Sequence, residues 1–164
     1  MPKHEVVLRV GGAAGDGIAS TGESFAKICS RSGLHLLAYN SYQSVIRGGF
    51  IYLQLRAGRE KIYSHGNKVD FLIALNPLEF QRNIVDVVPG GAVLYNSDKI
   101  KPDSDTIPKD VILCPLPVNE ILKDIGRNPI LQNTVALSSL VQLLNLDVDA
   151  VSYTHLTLPP SDLV

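Results

Sequence analysis

Cysteine is scarce in this chain of 164 residues, which contains only Cys29 and Cys114. An iron–sulfur cluster usually takes four thiolates, and a structural zinc site takes four ligands. Neither cysteine lies in a C-x-x-C pair, so we expect no metal centre built by this chain alone. We instead expect Cys29, on an apolar helix face, and Cys114, at the end of a strand, to pack in the core.

The sequence also lacks an excess of charge of one sign, and it lacks long apolar runs. Fifteen Lys and Arg residues stand against sixteen Asp and Glu residues, for a formal net charge of −1, so the basic surface of a nucleic-acid binder is missing. No run approaches about 18 apolar residues, which predicts no membrane-spanning helix. No apolar h-region follows the first five residues, so we expect no secretory signal. We therefore expect a cytoplasmic protein and, in that reducing compartment, no disulfide.

The first part of the chain predicts a β-α-β unit. Residues 5–10 form a β-branched run that ends at glycine, which is typical of a strand. Residues 18–32 carry apolar and small residues at helical spacing, and Gly33 ends that helix. Residues 34–40 predict a second strand. We expect the two strands to run parallel, with the right-handed crossover that such units adopt.

The rest of the chain continues the alternation of strands and helices. Residues 50–56 and 61–65 flank a turn and predict an antiparallel hairpin at the edge of the sheet. Asn76 and Pro77 predict a helix start, as its cap and its first residue. The other predicted elements are strands at 70–75, 92–95 and 111–114 and helices at 77–87, 117–125 and 134–146, the last capped by Asn133. This order predicts a three-layer, Rossmann-like α/β fold with a doubly wound, mostly parallel sheet.

A glycine-rich loop, residues 11–17, lies between the first strand and the first helix. Backbone amides at a helix N-terminus attract phosphate, because the unpaired N–H donors and the helix dipole both favour an anion. The dinucleotide fingerprint is absent, since Gly12, Gly15 and Gly17 are spaced by three and two residues, and the fingerprint spaces its glycines by two and then three. No Gly-Lys-Ser/Thr is present either. The sequence therefore disfavours NAD and ATP sites.

Two other interpretations of this loop stay open from the residues alone. Gly15-Asp16-Gly17 is similar to the start of a thiamine diphosphate motif, in which the aspartate helps to hold a metal ion. The Asn-Asn pair of that motif does not follow, because Asn40 is followed by Ser41. The loop would otherwise be only a tight turn that lets the helix pack closely on the strand.

A second loop, residues 41–49, follows the second predicted strand at the same edge of the sheet. Ligands of doubly wound sheets bind outside the carboxyl ends of the strands. The hydroxyls, the amide and Arg47 of this loop suit a phosphate or a pantetheine-like group. The alternative is that Arg47 is a surface charge and that Gly48-Gly49 only turns the chain.

Three motifs together resemble the gamma domain of the 2-oxoacid:ferredoxin (acceptor) oxidoreductases. They are Gly11-Gly12-x-x-Gly15-Asp16-Gly17, Ser41-Tyr42-x-Ser44-x-x-Arg47-Gly48-Gly49, and Asn128-Pro129 through Asn133. The resemblance covers about residues 5–150. It is nearest to the form fused to the N-terminus of an alpha subunit, as in 2-oxoglutarate-type enzymes. Asp16 is a departure, since many relatives have Gln at this position.

The resemblance implies a domain of an enzyme that oxidatively decarboxylates a 2-oxoacid, forms an acyl-CoA and reduces ferredoxin. It implies that this domain helps to bind coenzyme A and to assemble the complex, and that ferredoxin interacts with the complex as a whole. Thiamine diphosphate, magnesium and iron–sulfur clusters would lie on the alpha and beta subunits or on other domains. This chain would carry no catalytic residue. The residues expected to face coenzyme A or the neighbouring domain are Gly12, Gly15, Asp16, Gly17, Ser44, Arg47, Gly48 and Gly49, with Arg47 on a phosphate of coenzyme A.

The resemblance also sets expectations for the domain limits. Residues 1–150 would be a truncated gamma-type domain, inactive in isolation, and residues 151–164 (VSYTHLTLPPSDLV) a non-native or disordered tail. We expect an exposed apolar surface where the missing parts would dock. Two other functions stay open: a stand-alone nucleotide-binding module, and a purely structural assembly domain without catalysis.

Overall fold

The computed structural model describes residues 5–13, 16–42, 51–123 and 129–145. The strands are β1 (Glu5–Gly12), β2 (His35–Tyr42), β3 (Ile51–Gly58), β4 (Val69–Ala74), β5 (Val87–Asn96) and β6 (Ile112–Leu116). The helices are α1 (Ile18–Arg31), α2 (Pro77–Asn83), α3 (Val118–Ile121) and α4 (Pro129–Leu143). Short 3₁₀ turns lie at Ile84–Asp86 and Ser104–Thr106. The tail expected at 151–164 lies outside the described residues.

The six strands form one mixed sheet in the order β2-β3-β1-β4-β5-β6. The strands β1, β4, β5 and β6 pair in parallel, and β3 pairs antiparallel with both β1 and β2. This arrangement confirms the predicted α/β fold, with a mostly parallel sheet and an antiparallel edge. Because β3 lies between β1 and β2, the first β-α-β unit does not place its two strands side by side.

The antiparallel edge is formed by a different pair of strands from the predicted one. The hairpin expected between residues 50–56 and 61–65 is wrong, since residues 61–65 form no strand. Both edges of β3 are occupied by β1 and β2, which leaves no free edge for a third strand. The carbonyls of the 61–66 segment instead accept from side chains of β3. Gln54 Nε2 donates to the carbonyls of His65 (2.7 Å) and Gly66 (2.9 Å).

Helices cover both faces of the sheet and complete the three predicted layers. On one face, α1 and α4 pack on the sheet in an apolar cluster that includes Leu8, Phe25 and Leu137. On the other face, α2 and the following 3₁₀ turn form a second cluster, which includes Leu72 and Phe80. Burial of these side chains is the main favourable contribution to the fold. None of the described helices is long and apolar enough to cross a membrane.

Helix α1 packs closely on the sheet because it carries Gly22 on its inner face. A β-carbon at Gly22 would overlap the side chain of Leu53 on β3. Cys29 is fully buried on the same face, as predicted, and burial raises the pKa of its thiol to about 12. Cys114 is half-buried against the same cluster. Both cysteines are free thiols.

The start of α2 is predicted correctly and its end is not. Asn76 caps the helix, its side-chain oxygen accepting from Glu79 N (2.9 Å), and Pro77 is the first helical residue. The helix ends at Asn83 instead of near residue 87, and β5 begins directly after the 3₁₀ turn. Pro89-Gly90-Gly91, which separate the predicted helix at 77–87 from the predicted strand at 92–95, lie inside β5, which accommodates them by a shift in its register with β4.

The last helix begins four residues earlier than its predicted cap. Asn133 lies inside α4, so its predicted role as the cap is wrong. Pro129 is the first helical residue, a position at which the missing N–H of proline costs nothing. The side chain of Asn133 is therefore available for a contact outside its own helix.

Candidate functional site

The glycine-rich loop lies at the carboxyl edge of the parallel strands, where ligands of such sheets bind. It follows β1 directly, and the next strand in the sheet, β4, ends beside it. Leu75 N donates to the carbonyl of Gly11 (2.9 Å), which ties the end of β4 to the start of the loop. The start of α2 is therefore brought to the loop as well.

Asp16 closes the loop from within. Asp16 N donates to the carbonyl of Ala13 (3.0 Å), and Ala13 N donates back to Asp16 Oδ2 (2.6 Å). Gly12 lies underneath, where a β-carbon would come within 3.0 Å of Asp16 Oδ2. The carboxylate expected to face a ligand is thus used to shape the turn.

Gly17 starts α1 in a way that leaves the helix N-terminus without a side-chain cap. Its φ of 80° is left-handed, a conformation that glycine adopts without strain. Its carbonyl accepts from Thr21 N (3.0 Å) and from the hydroxyls of Ser20 (2.9 Å) and Thr21 (3.0 Å). The first turn contains no acidic residue. No side chain of the first turn therefore supplies an anion to its amide donors or to the positive end of the helix dipole.

Helix α2 brings two further polar side chains to the loop. Asn76, the cap of α2, also donates from Nδ2 to Asp16 Oδ2 (3.4 Å). Glu79 is 2% exposed and its Oε2 accepts from Asn83 Nδ2 (2.7 Å). Burial raises the pKa of Glu79, and the Asn83 hydrogen bond partly opposes that rise. A β-carbon at Gly11 would come within 2.8 Å of Glu79 Oε2, so this glycine makes room for the carboxyl group.

Helix α4 reaches the loop through Asn133. Its Nδ2 donates to the carbonyl of Asp16 (2.8 Å), and a β-carbon at Gly17 would overlap the same amide. One residue earlier, Gln132 Oε1 accepts from Asn96 Nδ2 (3.1 Å) and Lys99 Nζ (3.3 Å) at the end of β5. Side chains of Leu75, Leu94 and Ala136 line a small cleft beside that cluster.

The structure thus places three of the eight predicted site residues, and it brings them together. Gly12, Asp16 and Gly17 form one turn at the start of α1. The other five predicted residues, Gly15, Ser44, Arg47, Gly48 and Gly49, lie outside the described residues. Within the described ranges, no group of three or more His, Cys, Asp or Glu side chains is arranged to hold a metal ion.

Sequence reasoning missed the contributions of Glu79 and Asn133 to this site. Glu79 had a signal, because an acidic residue in the first turn after an Asn-Pro start is a common stabiliser of a helix. Its burial against Gly11 depends on the pairing of β1 with β4, which no local pattern shows. Asn133 contacts Asp16 across 117 positions of the sequence, so only the folded structure shows the pair.

The chain is similar to known proteins that are much longer than it is, and it matches only a part of each. The chain is 33% identical to the 2-oxoglutarate oxidoreductase subunit KorA of Mycobacterium tuberculosis over 102 residues, which is 58% of this chain and 16% of that subunit. It is 29% identical over 141 residues to the alpha subunit of 2-oxoacid:ferredoxin oxidoreductase 2 of Aeropyrum pernix, covering 82% of this chain and 21% of that subunit. The chain therefore spans about a fifth of the length of these curated relatives.

Solved structures share the fold. A 2-oxoglutarate:ferredoxin oxidoreductase from Magnetococcus marinus, with 2-oxoglutarate, coenzyme A and succinyl-CoA bound, matches 92% of this chain and 26% of that chain, with a TM-score of 0.80 and 30% identity. The gamma subunit of a keto/oxoacid ferredoxin oxidoreductase from Geobacter sulfurreducens matches 94% of this chain and 87% of that subunit, with a TM-score of 0.72 and 27% identity. The sequence model of the pyruvate ferredoxin/flavodoxin oxidoreductase family matches residues 7–155. Since that match covers most of the chain, the chain belongs to this family.

Proposed function

We propose that this chain is the gamma-type part of a 2-oxoacid:ferredoxin oxidoreductase, and that its glycine-rich edge helps to bind coenzyme A. The whole enzyme would oxidatively decarboxylate a 2-oxoacid, transfer the acyl group to coenzyme A and pass the electrons to ferredoxin. The observation that carries the proposal is the likeness to the Magnetococcus marinus enzyme, which is described with coenzyme A and succinyl-CoA bound. We assign the chain a binding and assembly role, with no catalytic residue of its own.

The described residues fit a ligand with phosphate groups. The first turn of α1 has no side-chain cap and no acidic residue, so no side chain of that turn competes with an anion for its amides. The negative charge of Asp16 opposes an anion, but its Oδ2 is bound by Ala13 N and directed into the turn.

Within this proposal the predicted residues take two roles. Gly12, Asp16 and Gly17 shape the turn and position the backbone amides of α1. Gly15, Ser44, Arg47, Gly48 and Gly49 remain assigned to the ligand side by the resemblance, with Arg47 making a charge-assisted contact to a phosphate of coenzyme A. As the resemblance implies, we place thiamine diphosphate, magnesium and the iron–sulfur clusters on the alpha and beta subunits or on other domains. The two cysteines of this chain are too few for a cluster.

A docking role for partner subunits is supported at the β6 edge of the sheet. Among the described strands β6 is outermost, and no other described strand pairs with the free side of its backbone. Ile112 on this strand is 56% exposed, and Ile121 on the adjacent α3 is also exposed. Exposed apolar side chains beside a free strand edge favour contact with another chain or domain. We propose a cytoplasmic complex, which the two free cysteines suit, with a domain limit near residue 150.

A calorimetric titration of coenzyme A into the full chain tests the binding role. A hydrogen bond to a charged group contributes about 1.5–3 kcal/mol, so Arg47→Ala should weaken binding by about tenfold or more. Arg59→Ala is the matched control, since Arg59 follows β3 at the opposite edge of the sheet and should not change the affinity. Equal affinities for wild type and Arg47→Ala would remove Arg47 from the site.

The titration, together with what the chain purifies with, separates the two alternative functions. A chain that binds coenzyme A tightly and purifies without partner subunits would be a stand-alone nucleotide-binding module. A chain that purifies within a complex whose affinity for coenzyme A does not depend on the glycine-rich loop would be a purely structural assembly domain.

A further inference from the structure

Asn133 is a polar side chain of α4 that acts on another element of the fold. Its Nδ2 donates to the carbonyl of Asp16 at 2.8 Å, and its amide occupies the space that a side chain at Gly17 would fill. The contact thus joins α4 to the last two residues before α1 begins. No other hydrogen bond among the described residues links α4 to this turn.

The other end of the same amide is buried without a partner among the described residues. No donor in that part of the chain reaches Asn133 Oδ1. The orientation of the amide is fixed by its partner, because the Asp16 carbonyl can only accept, and so the nitrogen must face it. An unpaired buried oxygen is unfavourable and calls for an explanation. A residue needed only to fill space would be better replaced by an apolar side chain, so the directional bond to Asp16 is the reason for an amide here.

Asp16 is the point at which the turn is held from three sides. Its backbone N–H and its carboxylate close the loop on Ala13, its carboxylate accepts from Asn76 of α2, and its carbonyl accepts from Asn133 of α4. Asp16 and Gly17 directly precede the uncapped first turn of α1. A shift of the Asp16 peptide therefore changes where the first-turn amides point.

We propose that Asn133 is a positioning residue, which holds the glycine-rich turn in the conformation that presents the α1 amides to a phosphate of coenzyme A. This inference rests on the proposed function. It assigns to α4 a specific effect on coenzyme A affinity, exerted through one hydrogen bond to the Asp16 carbonyl and without a contact between Asn133 and the ligand.

The neighbouring residue provides a matched control. Gln132 is also an amide on the same turn of α4, and it also joins the helix to another element. Its partners, Asn96 and Lys99, lie at the end of β5 and not in the glycine-rich turn. Gln132→Ala thus removes a comparable hydrogen-bonding side chain from the same helix and leaves the Asp16 contact in place.

The test uses the full chain, purified with the subunits that accompany it. Two quantities are measured for wild type, Asn133→Ala, Asn133→Leu and Gln132→Ala: the dissociation constant of coenzyme A, and amide hydrogen exchange across residues 11–20 without ligand. We expect both Asn133 variants to raise the dissociation constant at least fivefold and to speed exchange in the turn. In a kinetic assay, KM for coenzyme A should rise in the same way, with kcat and KM for the 2-oxoacid within twofold of wild type. Gln132→Ala should change none of these.

The outcomes separate this inference from the proposed function. Wild type that binds coenzyme A, together with Asn133 variants that bind as well as wild type or no worse than Gln132→Ala, would overturn the positioning role alone. Wild type that does not bind coenzyme A would overturn the proposed function and this inference together. Asn133→Leu keeps nearly the same size and removes the donor without adding a charge, so it decides the matter if Asn133→Ala does not fold.

Discussion

The two faces of β1 are packed in opposite ways. Leu8 and Val10 point into the apolar layer under α1 and α4, where both are fully buried. Between them, Arg9 points to the other face and is only 4% exposed. Its guanidinium donates to Gln54 Oε1 (3.0 and 2.7 Å), Asn83 Oδ1 (2.9 Å) and Asp86 Oδ2 (2.7 Å). Strand β1 therefore packs against an apolar core on one face, which is stabilised by buried apolar surface. On the other face it contributes to a network of buried hydrogen bonds.

The comparison shows why the two sides should respond differently to substitution. In the apolar layer, the loss of a side chain costs its transfer free energy and leaves a cavity. Around Arg9, each partner comes from a different element, and the ring of Tyr52 lies 4.6 Å from the guanidinium. Removal of the cation leaves several buried acceptors without a donor, which is costly beyond any single bond.

The largest expected effect belongs to the apolar face. Phe25 of α1 is fully buried in the cluster, so Phe25→Ala should lower the free energy of unfolding by about 3–5 kcal/mol. Urea denaturation followed by circular dichroism measures this change. Leu143→Ala, at a position that is 51% exposed on α4, should cost less than about 1 kcal/mol. Similar losses at the two positions would contradict the assigned apolar layer.

A somewhat smaller effect is expected on the polar face. Arg9→Met should lower the free energy of unfolding by about 2–4 kcal/mol, since half-exposed Asp86 can regain water while Gln54 and Asn83 stay buried. Arg56→Met is the control on the same face, because the Arg56–Glu5 ion pair is partly exposed and should be worth less than about 1 kcal/mol. A double-mutant cycle with Asp86→Asn should give a coupling of at least about 0.5 kcal/mol. Additive losses would show that the network is not cooperative.

The smallest effect concerns Glu79, where the polar face meets the glycine-rich loop. Its pKa in the fold is raised from 4.5, chiefly by burial, so folding favours the protonated acid. This stabilisation is fully present below the unfolded pKa and is lost as the pH rises through the raised folded pKa. The stability of wild type relative to Glu79→Gln should therefore fall as the pH rises from below 4.5. Thermal melting across that range measures this difference in stability. Glu23→Gln, at an exposed position of α1, is the control for total charge. A difference that does not change with pH would contradict the raised pKa.

Local sequence signals predicted the parts of the fold that local chemistry decides. Asn76 and Pro77 started α2 as expected, and the glycine-rich loop joined a strand to a helix. The strand pairing was harder, because β3 inserts between β1 and β2 and takes both available edges. Residues 61–65 then lost their predicted partner strand and gave their carbonyls to side chains instead.

The buried polar contacts were beyond sequence reasoning for the same reason. Arg9 alternates with apolar residues in β1, a pattern typical of a solvent-facing position, yet its partners lie 45 to 77 positions away and bury it. Asn133 reads as a helix cap, and the earlier start of α4 at Pro129 places it inside the helix. Gly12, Asp16 and Gly17 lie together in the structure as predicted, because they are close in sequence.

The central claim is that coenzyme A binds at the glycine-rich edge of this chain. The most direct measurement is amide hydrogen exchange by mass spectrometry, with and without coenzyme A, on the full chain and its accompanying subunits. We predict slower exchange in residues 11–20 when coenzyme A is present, and no change in residues 59–68 at the opposite edge. Unchanged exchange in residues 11–20 at saturating coenzyme A would contradict the claim.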